Sequence, residues 1–101
     1  MAEPTPLYLR AIAAWGAASQ MDMLYEEIGE LLTAIGHARR GRGTVADIAG
    51  EIADVRIMLD QLCVILECGD LADARKVEKL ARLEARLDER DAREKRKMEP
   101  L

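Results

Sequence analysis

The stretch MDMLYEEIGELLTAI, residues 21–35, decides the fold of this chain. Its apolar residues recur at intervals of three and four. An α-helix has about 3.6 residues per turn, so this spacing places them on one face. The stretch therefore predicts an amphipathic α-helix, helix two, with one face toward a core. The residues of that face are Met21, Leu24, Ile28, Leu31, Leu32 and Ile35.

The segment before helix two also has a helical pattern. Pro4 and Pro6 end a flexible arm of residues 1–6, and helix one is predicted from Leu7 to about Ala18. Leu9, Ile12 and Trp15 would form its apolar side. After helix two, Gly36 and the sequence HARRGRG predict a break.

Helix three is predicted to begin after Thr44, an N-cap residue with Asp47 three positions on, as in a capping box. Its apolar pattern continues to Cys68, where Gly69 suits a C-terminal cap. Helix four follows, from about Asp70 to Leu87. Beyond it the apolar pattern fades, and we expect residues 88–101 to be a charged, solvated C-terminal extension.

Composition agrees with a helical domain. The chain has 101 residues, of which 50% are hydrophobic and 34% charged, and it contains no Phe. This mixture excludes a disordered tail, and an apolar set dominated by Ala, Leu, Ile and Met favours helices over strands. We expect a single all-α domain over residues 1–101. A chain of this length buries only about 60 to 70% of the surface that its unfolded form exposes, so assembly with a second copy would add stability.

Charge and hydropathy argue against two kinds of partner, nucleic acids and membranes. The 19 acidic and 15 basic residues give a net charge of -4, which argues against binding to nucleic acid backbones. The N-terminal sequence lacks the apolar run of a signal peptide, and no run of about 18 apolar residues occurs. We therefore expect a cytoplasmic protein with no nucleic acid and no membrane partner.

Four carboxylates form the most informative pattern. Helix two contains Glu27 and Glu30, and helix three contains Glu51 and Asp54. Residues three apart share a helix face, and both pairs border the apolar stripe of their helix. Since helices joined by a short connection are antiparallel neighbours, the two pairs can face each other.

Facing carboxylates at the edge of a core repel each other and are costly to bury without a partner. A cation between them would compensate, and hard oxygen ligands suit Mg²⁺ or Mn²⁺. The alternative is an ordinary solvated face on each helix, which is typical of a single E-x-x-E or E-x-x-D pair.

These motifs resemble the MazG-like nucleoside triphosphate pyrophosphohydrolases, in particular the short phage and bacterial type. EEIGE is followed, after a connection of about twenty residues, by EIADVRIMLDQL, similar to the E-x-x-E and E-x-x-D signature of that family. WGAASQMDMLYEE resembles the segment leading into the first motif, and KVEKLARLEARL resembles the C-terminal helix. The resemblance covers Trp15 to Leu87.

The resemblance implies a four-helix all-α bundle that assembles as a dimer or tetramer. It further implies Mg²⁺-dependent hydrolysis of a nucleoside triphosphate between the α and β phosphates, giving a monophosphate and pyrophosphate, with Mn²⁺ as a substitute metal. The metal ligands carried over are Glu27, Glu30, Glu51 and Asp54.

Five further residues are candidates for the site. Glu26 could accept a proton from the attacking water, or be an exposed surface residue. The resemblance suggests that Trp15 and Gln20 contact the base, although a core role for Trp15 is the favoured alternative. Lys79 and Arg82 could bind phosphate oxygens, or could be ion-pair partners of Glu78 and Glu84.

The connection after helix two is basic. Arg39, Arg40 and Arg42 could attract an anionic substrate, but a plain solvated turn is the favoured interpretation. His37 is typical of a residue that caps a helix C-terminus, and we do not expect it to act as a base.

Two other functions fit the sequence. Phosphoribosyl-ATP pyrophosphatase shares the carboxylate pattern in a chain of similar size. A non-enzymatic helical oligomerisation or regulatory module, in which the acids form only ion pairs between helices, is the alternative from another class.

Overall fold

The computed structural model describes residues 3–100 and contains four α-helices. They are α1 (Thr5–Trp15), α2 (Ala17–Arg39), α3 (Val45–Ile65) and α4 (Gly69–Met98). Residues 3–100 contain no strand, so the prediction of an all-α protein is confirmed. The chain forms two compact units, one of residues 1–69 with α1 to α3 and one of residues 70–101 with nearly all of α4.

Helices α2 and α3 form the closest packing in the first unit, and α1 packs on both. Residues 40–44 alone connect α2 to α3, so two long helices that pack together must be antiparallel. Tyr8 on α1 is buried, and its hydroxyl donates a hydrogen bond to Asp60 Oδ2 on α3 at 3.4 Å. The other buried residues are Gln20, Met58 and Gln61.

The boundary between α1 and α2 differs from the prediction. Gly16, with φ 90°, separates the two helices, so Ala17 and Ala18 belong to α2. A positive φ is easy only for glycine, which explains why the chain turns there. At the other end, Thr5 and Pro6 are the first residues of α1, not part of an arm. Met1 and Ala2, predicted in that arm, lie outside the described residues.

Helix α2 continues through Gly36 and ends at Arg39, beyond the predicted end at Ile35. It closes with a Schellman motif around Gly41, which has φ 76°. The Arg42 N–H donates to the His37 carbonyl at 2.9 Å, and the Gly41 N–H donates to the Ala38 carbonyl at 3.0 Å. The connection is therefore a defined turn.

The start of α3 agrees with the prediction. Thr44 Oγ1 accepts a hydrogen bond from the Asp47 N–H at 3.1 Å, and Asp47 Oδ2 accepts one from the Thr44 N–H at 3.0 Å. These reciprocal bonds confirm the capping box.

The end of α3 differs. Gly69 is not its cap but the first residue of α4, and Glu67 takes the left-handed conformation with φ 50°. A second Schellman motif forms, with the Cys68 N–H donating to the Cys63 carbonyl at 3.0 Å. A non-glycine residue is uncommon at this position, so spacing alone pointed to the wrong residue.

Helix α4 has 30 residues and reaches Met98, well past the predicted end at Leu87. Most of the predicted extension 88–101 is therefore helical and exposed, while Leu101 lies outside the described residues. Ion pairs between residues three or four apart support the helix where the apolar pattern fades. None of the helices within residues 3–100 combines the length and the apolar character needed to cross a bilayer.

Little of the apolar surface is buried. In the first unit Tyr8 and Met58 are the only buried hydrophobic residues among those described. Tyr25, Leu32 and Ile57, all on α2 or α3, are exposed. A stable core of this size would bury many more such side chains, so the helices of the first unit leave apolar faces that its described residues do not cover.

Candidate metal centre

The register of α2 against α3 brings the two acidic motifs together. Near the turn, a Cβ built on Gly43 would lie 3.2 Å from the Ala38 nitrogen, so these two residues are in close contact. Ala38 and Gly43 are equally far along the chain from the Arg40–Gly41 bond. The same symmetry pairs Glu30 with Glu51, and Glu27 with Asp54. The two motifs therefore lie at matching levels of neighbouring antiparallel helices.

The carboxylates form a cluster at this level. One oxygen atom from each of Glu27, Glu51 and Asp54 lies within 4.8 Å of the others. The carboxylate of Glu30 is close enough for its charge to raise the pKa of both Glu27 and Glu51. We call these four residues the acidic cluster. The structure brings together all four residues for which we predicted metal binding.

Two oxygen atoms of the acidic cluster are buried without a partner. Glu27 Oε2 and Glu51 Oε2 are shielded from solvent, and no hydrogen-bond donor within residues 3–100 reaches them. The ion pairs found among these residues all lie on α4, so no basic side chain neutralises the cluster. A buried carboxylate oxygen without a donor is destabilising, so this arrangement favours either a bound cation or carboxyl groups that retain their protons.

The pKa values of Glu27 and Glu51 are also raised by burial and by the neighbouring carboxylates. Burial raises the pKa of Glu27 to about 7. The charge of Glu30 and a hydrogen bond between the Glu27 and Glu30 carboxyl groups add to the effect, followed by the charges of Asp54 and Glu51. Burial, followed by the charges of Glu30 and Asp54, also raises the pKa of Glu51. At neutral pH the cluster therefore holds on to protons that ordinary carboxyl groups have lost.

The donor set fits a hard divalent cation. All the atoms that meet are carboxylate oxygens, which Mg²⁺, Mn²⁺ and Ca²⁺ accept and which softer metals do not favour. Glu27 and Glu51 are half-buried and their positions are fixed by the helix packing, while Glu30 and Asp54 are exposed. Half of the set is thus held by the fold, and half is open to solvent.

A cavity of about 340 Å³ adjoins the cluster. Glu30 and Glu51 form one end of it, and the turn after α2 forms the other with Arg42 and Gly43. Its remaining lining residues are Thr33, Ala34, His37 and Asp47. The cavity therefore has carboxylates at one end and a guanidinium group at the other.

The other predicted residues of α1 and α2 lie in different settings. Glu26 is exposed and is not part of the acidic cluster. Trp15 is 68% exposed, so the alternative that it anchors a core is wrong. It lines a groove of α1 with Leu7, Arg10, Ala11 and Ala14. Its contact with a base stays a prediction, as does the role of Glu26.

Gln20 is 6% exposed and lies two helical turns before Glu27. The register places it opposite Gln61, two turns after Asp54 and 5% exposed, and the buried Gln61 Oε1 has no hydrogen-bond partner among residues 3–100. Sequence reasoning missed Gln61. The signal was its spacing of seven residues from Asp54, which puts an amide on the same face as the acidic motif.

Lys79 and Arg82 lie on α4, in the second unit, where they line a shallow depression with Arg75 and Glu78. Glu78 pairs with Arg75 at 3.0 Å. Neither Lys79 nor Arg82 forms an ion pair within residues 3–100, so the alternative that they are partners of Glu78 and Glu84 is not what the structure shows. Contacts of Lys79 and Arg82 with phosphate stay predictions.

Comparison with known proteins gives no relative: no family model, no curated protein and no solved structure matches the chain. The resemblance to the MazG-like enzymes therefore depends on the motifs alone.

Proposed function

We propose that this chain is a Mg²⁺-dependent nucleoside triphosphate pyrophosphohydrolase of the MazG-like type. The observation that carries the proposal is the acidic cluster. Oxygen atoms of Glu27, Glu51 and Asp54 lie within 4.8 Å of one another with Glu30 beside them, and two buried oxygens of the cluster have no donor within residues 3–100. Acidic residues that only kept the helices soluble would be more stable apart from one another, because grouped carboxylates repel each other and are costly to bury.

Each member of the cluster has a part in this reaction. The metal would be held by Glu27, Glu30, Glu51 and Asp54. The half-buried positions of Glu27 and Glu51 would fix its place against α2 and α3. Bound Mg²⁺ supplies Lewis acidity, which neutralises phosphate charge and makes water acidic enough to attack at neutral pH. Glu26, one position before Glu27 on α2, is the proposed proton acceptor.

The substrate would be positioned by residues outside the cluster. Trp15 offers an exposed indole for stacking on a base, and Gln20 offers an amide if the buried layer around it opens. Lys79 and Arg82 form no ion pair within residues 3–100, so both side chains remain available for phosphate oxygens.

A homo-oligomer, dimer or tetramer, is part of the proposal. The support is the set of large apolar side chains that the first unit leaves exposed, including Trp15, Tyr25 and Leu32. A second copy would bury such faces, as in obligate dimers. Sedimentation equilibrium measures this directly, and a monomer at micromolar concentration would refute it.

A pyrophosphate-release screen tests the activity. Canonical and modified nucleoside triphosphates, with phosphoribosyl-ATP as a separate substrate, are each incubated with Mg²⁺, with Mn²⁺ and with a chelator. We expect release of pyrophosphate and a nucleoside monophosphate from at least one triphosphate, and none after chelation. Turnover of phosphoribosyl-ATP alone would assign the chain to that reaction instead.

A second candidate is a helical oligomerisation module without enzymatic activity. The exposed apolar faces of the first unit favour it, since they serve assembly whether or not a reaction occurs. This candidate predicts no response to Mg²⁺ or Mn²⁺, either in activity or in melting temperature. The acidic cluster is the feature that it leaves without a role.

A further inference from the structure

The cavity beside the acidic cluster joins two kinds of charge along one groove. Glu30 and Glu51 line one end, and Arg42 lines the other. His37, near Arg42, lies seven residues after Glu30 on α2, which corresponds to about 10 Å along the helix axis. A ligand that spans the cavity would therefore have one end at the carboxylates of the acidic cluster and the other end at the guanidinium group of Arg42, about two helical turns away.

The backbone of Arg42 is fixed by the turn that carries it. Its N–H donates to the His37 carbonyl, closing the Schellman motif that Gly41 makes possible with its positive φ. The next residue, Gly43, lies against α2: a Cβ at this position would be 3.2 Å from the Ala38 nitrogen, closer than an ordinary contact. The turn thus presents Arg42 at one place on the cavity rim, although the interpretation from sequence favoured a plain solvated turn.

The guanidinium group of Arg42 is available for a ligand. Within residues 3–100 it takes part in no ion pair and no side-chain hydrogen bond. Asp47, which also lines the cavity, already accepts a hydrogen bond from the Thr44 N–H in the capping box. Thr33 Oγ1 likewise donates to the Gly29 carbonyl at 3.0 Å. Arg42 and His37 are therefore the residues of this wall with free donors.

We propose that Arg42, assisted by His37, binds the terminal phosphates of the substrate, the part that leaves as pyrophosphate. This inference rests on the proposed function. A guanidinium group offers parallel N–H donors that match two phosphate oxygens, which makes Arg suited to a phosphate that the metal does not cover. With the metal over the acidic cluster, the triphosphate runs along α2 toward the turn, and the nucleoside lies on the other side of the cluster.

Arg40 provides a matched control. It belongs to the same turn, is exposed like Arg42 and carries the same charge, but it lines a separate depression with Gly36 and Arg39. Arg42→Ala and Arg40→Ala therefore change the net charge of the turn equally. Only Arg42→Ala removes a donor from the cavity. The pair separates a direct contact from a general electrostatic attraction of the substrate.

Two measurements are made on the full chain, with folding checked by circular dichroism. The first is kcat and KM for the triphosphate found in the screen, and the second is calorimetric binding of pyrophosphate with Mg²⁺ present. We expect Arg42→Ala to raise KM and weaken pyrophosphate binding about tenfold or more, with a smaller change in kcat. Arg42→Lys recovers part of the loss, and Arg40→Ala stays within about twofold of the wild type.

The results separate this inference from the proposed function. If the wild type hydrolyses a triphosphate and the two alanine variants behave alike, Arg42 makes no special contact and the inference is overturned while the function stands. If no triphosphate is hydrolysed but pyrophosphate binds in a manner that depends on Arg42, the anion site stands and the function fails. Absence of both hydrolysis and binding overturns both.

Discussion

The acids of α4 and the acids of the α2–α3 pair have opposite surroundings. On α4, Glu78, Glu89 and Glu94 each pair with a basic residue three or four positions away, at 2.9 to 3.3 Å, and these side chains are more than half exposed. In the acidic cluster no carboxylate has such a partner, and two oxygens are buried. One chain therefore contains both neutralised and unneutralised carboxylates.

The residues near each acid in the sequence already differ between the two regions. The positions three and four residues before and after each member of the acidic cluster contain no Lys and no Arg. Glu78 has Arg75 and Arg82 at those positions, and Glu89 has Arg86 and Arg93. Acidic residues that serve solubility are placed next to bases, so an acid on an apolar edge without nearby bases is a better candidate for a ligand site than charge counting suggests.

The largest expected effect comes from one member of each set. Glu51→Gln keeps the size of the side chain but removes a charged ligand, so metal-dependent turnover should fall by at least about a hundredfold. Glu78→Gln on α4 should change it less than about twofold. Steady-state pyrophosphate release measures both, and circular dichroism checks that helix content is kept. Retained activity in Glu51→Gln would remove Glu51 from the site.

Metal-induced stabilisation is the next effect in size. A ligand of the folded state raises stability by mass action, so Mg²⁺ or Mn²⁺ at about a hundred times Kd should raise the free energy of unfolding by about 2.7 kcal/mol. For a chain of this size that corresponds to a rise in Tm of roughly 10 °C or more. The increase should vanish in the double variant Glu27→Ala, Glu51→Ala. It should persist in Glu89→Ala, Glu94→Ala. Equal responses of the two double variants would show that the metal binds nonspecifically.

The metal-free protein should also lose stability as pH rises. The pKa of Glu27 is about 7 in the folded chain, above its ordinary value of 4.5, so the folded state binds more protons than the unfolded state between these values. Stability that is present below about pH 4.5 is lost as pH rises through about 7. Melting curves in chelator should show this fall, and it should shrink when Mg²⁺ displaces the protons.

Glu27→Gln sharpens this expectation. It removes the charge that burial disfavours, so in chelator at about pH 8 the variant should melt above the wild type, with a weaker dependence on pH. A lower Tm for Glu27→Gln under these conditions would mean that the Glu27 charge stabilises the metal-free fold, contrary to its surroundings.

The smallest effect belongs to α4. Glu89→Gln removes the ion pair with Arg93, which is exposed on both sides, and should lower stability by no more than about 0.5 kcal/mol. The loss should disappear at about 1 M salt, where exposed charges are screened. Chemical denaturation at low and high salt measures it. A large, salt-resistant loss would mean that the acids of α4 contribute more than an exposed pair can.

Local patterns predicted most of the fold. The spacing of apolar residues located α2 and α3, and the Thr44 capping box marked the start of α3, because these signals act over a few residues. The left-handed conformation of Glu67 was not predicted because it is uncommon for a residue other than glycine. The continuation of α2 through Gly36 was not predicted because the glycine that ends the helix is Gly41, with its positive φ. The reach of α4 to Met98 could have been read from its ion pairs at spacings of three and four.

The site divides in the same way. Spacing along each helix identified the four residues of the acidic cluster, because helix periodicity fixes which acids share a face. Arg42 and Gln61 needed the register between the helices, which depends on how residues 40–44 turn. No pattern within one helix contains that information, and for this reason the basic end of the cavity was interpreted as solvent-facing.

The turn between α2 and α3 has one more consequence, for the variation that the chain can tolerate. Every facing pair, from Ala38 with Gly43 to Glu27 with Asp54, is centred on the Arg40–Gly41 bond. One residue inserted there would disrupt the hydrogen bonds of Gly41 and Arg42 that close the turn, and would shift the register of α3 against α2 for all the pairs at once. Substitution at Arg40 costs little, but the length of this turn is constrained. Homologous chains with the same chemistry should vary in the residue types of this turn but keep the same number of residues in it.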